Sequence, residues 1–183
     1  FFFHTFLWVF LPWTVLALIG YWMKVKTFWQ AKFAYMPNLE FLTLGGISIL
    51  FLLISFAQFK LPHYMNILMP LYAILSAGFL YVLHQQQKLK MAKIILGIQY
   101  FILGLVVIFS VLVSFYVFKL EHWYGYLFLL MALALVSYII LQKEAPYTKI
   151  VTVAILSSVL LNGLMNAHFY PKLLDYQGGS NMA

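Results

Sequence analysis

The 183-residue sequence contains no cysteine and no arginine, and only four acidic residues. Without cysteine there is no disulfide framework and no thiolate metal site. Without arginine, all eleven basic residues are lysines, and they give a net charge of +7. That charge does not point to nucleic acid. The lysines fall between apolar runs instead of forming a patch, so the expected partner is the anionic headgroup layer of a membrane. Charged residues make up only 8% of the chain, and no Asp, Glu or Lys lies near the middle of a long apolar run, which argues against an ion or proton pathway. A phosphate-cradling glycine loop, an HExxH pair and a close pair of carboxylates are absent as well.

What remains is overwhelmingly apolar. Hydrophobic residues account for 65% and aromatics for 20%, and the mean hydropathy is +0.96, against an apolar share of about half in soluble domains. These values predict an integral membrane protein with an all-α, polytopic transmembrane helical bundle as its fold. A hydrocarbon core of about 30 Å needs roughly 17 to 25 mostly apolar residues per helix. Six segments qualify: 3–22, 39–57, 62–83, 94–118, 124–141 and 150–167. Pro12 divides the first, so His4, Thr5 and Trp8 are candidates to lie along the interface before the chain turns inward near Trp13. The loops after the first, third and fifth segments carry Lys24, Lys26, Lys32, Lys88, Lys90, Lys93, Lys143 and Lys149, and the opposite side carries only Lys60, Lys119 and Lys172. The positive-inside rule then places both chain ends on the exoplasmic side. Trp22 and Trp29 fall at the inner interface and Trp123, Tyr124 and Tyr126 at the outer one, as an aromatic belt requires.

Small residues at helix-packing spacing account for much of the interior: Gly97 and Gly104, Ser110 and Ser114, and the stripe Ser158, Asn162, Asn166 with Gly163 beside it. Such residues let helices approach and hydrogen-bond across the contact. Asn38 reads as a helix cap, with Glu40 in the first turn meeting the positive end of the helix dipole. Gln85, Gln86 and Gln87 form a solvated connector. The sequence opens on Phe1 with no basic stretch ahead of it and closes on a turn-like polar stretch, 177–183. Residues 1–183 are therefore expected to be a single transmembrane domain belonging to a longer chain.

The polar groups gather on the expected outer side: His4, Lys60, His63, Tyr64, Lys119, Glu121, His122, Lys172 and Asp175. The most organised of them is the stretch from Gln58 to Pro70. Pro62 suits the first turn of a helix, where its missing N–H has no intrahelical partner to lose. Pro70 removes the donor for the Asn66 carbonyl, so a kink and a spare acceptor are expected. Two readings of Lys60 stand. It is a boundary lysine with its stem in lipid and its head in water, or, with the Tyr64 hydroxyl a helical turn on and His63 beside it, it binds an anionic phosphate. Glu121-His122 and Asp175 are weak candidates for a base, because adjacent helical residues point about 100° apart.

Lys60-Leu61-Pro62-His63-Tyr64, followed by Ile67-Leu68-Met69-Pro70-Leu71-Tyr72, resembles the stretch that opens a late transmembrane helix in bacterial GT-C glycosyltransferases, in particular the aminoarabinose lipid A transferases and protein O-mannosyltransferase-like enzymes. The aromatic lead into Pro12-Trp13 and the exit from Phe169-Tyr170-Pro171 to Tyr176-Gln177 fit the same pattern. Phe59 departs from it, since a small polar residue often stands there. The resemblance implies a transferase that moves a sugar from a polyprenyl-phosphate carrier to a lipid or protein acceptor on the periplasmic face of a bacterial inner membrane. It implies that the catalytic aspartate lies upstream of Phe1, that any divalent metal is held by residues outside this chain, and that this C-terminal membrane half supplies the carrier-lipid groove. Lys60 would contact the phosphate, with Tyr64 and His63 in support. A non-catalytic membrane scaffold and a transporter of lipid-linked sugars are the readings from other classes.

Overall fold

Helix is the only regular structure that satisfies every backbone polar group within its own segment, so a chain this apolar folds as helices. The computed structural model describes residues 1–32, 41–58, 60–120 and 123–176, and among these every regular element is helical. The chain divides into two compact units, Phe1–Lys88 and Leu89–Ala183.

The first unit contains α1 (Phe2–Val9), α2 (Thr14–Gln30), α3 (Phe41–Ser55), a 3-10 turn over Pro62–Ile67, and α4 (Met69–Gln85). As Pro12 foretold, the first apolar segment is broken, with α1 and α2 on either side. Lys24 and Lys26, read from sequence as loop residues, ride on α2 itself. Phe2, Phe6, Ala17, Ile47, Met65, Leu68, Tyr72 and Leu75 form one buried core. The Tyr72 ring lies 4.2 Å from that of Phe6 and 6.0 Å from that of Phe10, which ties α1 to the start of α4. α2 meets α4 at Gly20, where a Cβ would stand 3.2 Å from the Leu75 carbonyl oxygen and 3.2 Å from the Phe79 Cβ. Tyr21 and Ser48 join α2 to α3 through a 2.9 Å hydrogen bond between their hydroxyls.

The second unit contains α5 (Leu89–Leu112), which runs on through a π-helical turn over Val113–Val117, then α6 (Trp123–Leu141) and α7 (Pro146–Leu164). α7 passes through a second π-helical turn, Met165–Phe169, into α8 (Tyr170–Tyr176). The continuous stretches Leu89–Val117 and Pro146–Leu174, 29 residues each, are long and apolar enough to cross a membrane. At 1.5 Å per residue each is roughly 43 Å long, more than a hydrocarbon core of about 30 Å requires. Phe41–Ser55 and Gly125–Leu141 are shorter apolar helices. α5 and α7 pack against each other around Leu103, Val153 and Leu156, with Val136 of α6 completing the cluster.

Two packing expectations are corrected here. Gly97 and Gly104 are exposed, and a Cβ added at either meets nothing within 4 Å. The small residues that are fully buried on α5 and α7 are instead Ala92, Ala154 and Ser157. Asn162 and Asn166 are exposed, and their side-chain amides donate to the Ser158 and Asn162 carbonyls of their own helix. One turn of helix brings those carbonyls within reach, so the asparagines need no partner helix. Asn38 and Glu40 lie outside the described residues.

Candidate functional site

The segment that follows α3 is non-helical at Lys60, and Leu61 is extended at φ −96° and ψ 131°. This is the conformation that the ring of a following proline enforces. Pro62 then opens a 3-10 turn in place of the continuous α-helix expected over 62–83. With three residues per turn, Met65 and Leu68 fall on one edge, and both are fully buried in the core of the first unit. The Leu68 N–H that closes the turn donates to the Met65 carbonyl at 3.0 Å. Pro70 lies in the first turn of α4, where its missing N–H breaks no hydrogen bond. The expected mid-helix kink is replaced by a change of helix type.

This local fold sets the three candidate side chains. Lys60 is exposed, before the turn and outside any helix, so it and Tyr64 are not related by α-helical spacing. Tyr64 is half-buried against the core cluster, and its N–H donates to the Leu61 carbonyl at 3.2 Å. His63 is exposed, with its ring edge-on to that of Tyr64 at 4.9 Å and 80°. His63 and Tyr64 thus touch, while Lys60 stands ahead of them on the same loop. α1 packs on the turn. An ammonium, an imidazole and a phenol offer hydrogen-bond donors to an anion. Among the described residues no group of three metal-ligating side chains occurs.

The other outer-side residues are dispersed. His4 is exposed on α1 and accepts a 3.2 Å hydrogen bond from the Trp8 indole N–H. Lys119 is exposed. Glu121, His122 and the side chain of Asp175 lie outside the described residues. Lys172 lines a cavity of about 470 Å³ in the second unit together with His168 and Ser114. His168 escapes a reading of the sequence because the sixth apolar segment ends at Ala167, one residue earlier, whereas the helix continues through its π-helical turn.

No family model, no curated protein and no solved structure matches this chain.

Proposed function

We propose that this chain is the membrane half of a glycosyltransferase that takes a sugar from a polyprenyl-phosphate carrier and delivers it to a lipid or protein acceptor on the periplasmic face of a bacterial inner membrane. In this reading six apolar segments cross the bilayer, the lysine-rich loops are cytoplasmic, and Lys60 faces outward. The apolar surfaces favour a lipid surround: along α6, Phe128, Leu130, Met131, Tyr138 and Leu141 are all exposed, an arrangement suited to hydrocarbon and costly in water.

The observation that carries the reading is the Lys60 loop. An exposed ammonium precedes a turn pinned to the core by Met65 and Leu68, so the cation projects from a fixed floor. When the sugar–phosphate bond breaks, negative charge grows on the phosphate that leaves. A pre-positioned cation stabilises that charge without reorganising at the moment of reaction. Lysine recognises phosphate as a point charge with three donors, and His63 and Tyr64 are candidates for the remaining oxygens.

The test is sugar transfer from a radiolabelled polyprenyl-phosphate sugar in membranes containing the protein. Lys60→Ala is expected to lower the transfer rate about 10²-fold, the cost of losing one preorganised donor, and Lys60→Glu to abolish it, at unchanged protein level. Unchanged transfer in both variants would sink the reading. Movement of the lipid-linked sugar without bond cleavage would make the protein a transporter, and no effect on either quantity would make it a scaffold.

A further inference from the structure

The cavity of the second unit is lined by residues of that unit alone among those described, and its reading does not depend on the proposal made for the Lys60 loop. Ser114, His168 and Lys172 line it together with Phe128, Leu160 and Leu164. Both π-helical turns contribute to its wall, Ser114 from the first and His168 from the second. Such turns, rare in helices, mark functional sites more often than chance. They are fastened to one another: the His168 Nε2–H donates to the Phe118 carbonyl at 2.6 Å, and the Phe118 and Phe169 rings meet edge to face at 5.7 Å. Because a carbonyl can only accept, this bond fixes the tautomer and leaves Nδ1 as an acceptor.

Two further observations say what the cavity suits. Ser114 is only 2% exposed and stands on the cavity wall in the first π-helical turn. Ser110, also on the wall, donates to the Val106 carbonyl of its own helix. The lining also changes character along the chain. Leu160 and Leu164 are apolar, whereas His168 and Lys172 are a hydrogen-bonding ring and a cation. From Leu160 to Lys172 is roughly 18 Å of helix, close to the depth of one leaflet of a bilayer.

We propose that this cavity is a binding site for an anionic phospholipid of the surrounding bilayer, with one acyl chain lying along Leu160, Leu164 and Phe128, the phosphate at Lys172 and Ser114, and a headgroup hydroxyl at His168. Lys172 supplies the charge. Ser114 supplies a hydroxyl donor, and Nδ1 of His168 accepts from a headgroup hydroxyl. A volume of about 470 Å³ lies within the roughly 300–1,000 Å³ typical of sites that enclose a small ligand. It holds one chain and the head, while the second chain remains in the bilayer.

The experiment is native mass spectrometry of the full protein released from mild detergent, with phosphatidylglycerol or phosphatidylcholine of matched acyl chains. Phosphatidylglycerol is expected to be retained about tenfold more, the weight of one charge-assisted contact. Lys172→Gln should bring the two lipids to near parity, and Lys119→Gln, at an exposed lysine outside the cavity, should not. Gly163→Leu places a side chain toward Phe128, whose Cζ is 3.9 Å from a Cβ built there, and should lower retention of both lipids. Equal retention of the two headgroups by the unaltered protein would overturn the proposal, as would unchanged retention in Lys172→Gln. Competition by millimolar inorganic phosphate alone would overturn it in favour of a free-phosphate site. Should Gly163→Leu not fold, Lys172→Gln decides, since it alters only a half-buried side chain beyond the packed core.

Discussion

At Lys149 three helices meet through one ammonium group. Its Nζ donates to the Ile140 carbonyl at 2.9 Å and the Gln142 carbonyl at 2.8 Å, and it lies 5.9 Å from the centre of the Tyr100 ring. The carbonyls of the last turn of α6 have no intrahelical donors, and a cation at the negative end of the helix dipole satisfies them. Sequence position assigns Lys149 to orientation alone, but the fold also uses it as a cap. Lys149→Met is therefore expected to lower stability by about 1–3 kcal/mol, read as a lower melting temperature in detergent, while the exposed Lys143→Met should leave the melt unchanged. Glycine gives a second contrast. Gly20→Leu must force α2 away from the Leu75 carbonyl and should cost about 1–3 kcal/mol. Gly97→Ala and Gly104→Ala point into open space and should be neutral or gain about 0.5–1 kcal/mol through helix propensity. A loss at Gly97 or Gly104 equal to that at Gly20 would restore the packing role that their sequence spacing suggested.

At the scale of elements, four of the apolar segments are not single α-helices. The first breaks between α1 and α2, the third begins as a 3-10 turn, and the fourth and sixth each end in a π-helical turn. Each departure has a local cause or consequence. Pro12 and Pro70 remove backbone donors, and the chain places both where no α-helical hydrogen bond is lost. Pro70→Ala should accordingly change stability by less than about 1 kcal/mol in a detergent melt; a gain of about 3 kcal/mol would mean that Pro70 interrupts a continuous helix. The π-helical turns carry no such mark in the residues, because Val113–Val117 and Met165–Phe169 contain neither proline nor glycine. For this reason the cavity they flank, and the part His168 plays in it, could not be read from the order of residues.

At the scale of the whole molecule, the lack of cysteine makes topology directly measurable. Single cysteines introduced as Lys60→Cys and Lys90→Cys can be labelled in intact cells with a membrane-impermeant maleimide without background from residues 1–183. With six crossings and the lysine-rich loops inside, the cysteine at position 60 should be labelled from outside and that at position 90 only after permeabilisation. Labelling of both from the same side would overturn the six-span arrangement. The two long helices of the second unit and the exposed apolar residues of α6 make retention in the membrane after carbonate washing the expected companion result.

Composition and the lengths of the apolar runs by themselves determined that the chain is helical and roughly where its helices lie, because backbone groups deprived of water leave helix as the economical solution. The prolines likewise marked where helices start or break, since a missing N–H acts locally whatever surrounds it. Which face of each helix is buried was not legible. Nearly every residue is apolar, so the contrast that betrays the inner face of a soluble helix is missing, and Gly97, Gly104 and the asparagine stripe were assigned to contacts they do not make. Only tertiary packing chose Gly20 as a point of close approach and buried Ala92 and Ser157. It also anchored the Lys60 turn through Met65 and Leu68, and gathered Ser114, His168 and Lys172 around one cavity, because those choices depend on the shapes of facing helices and not on the character of any single segment.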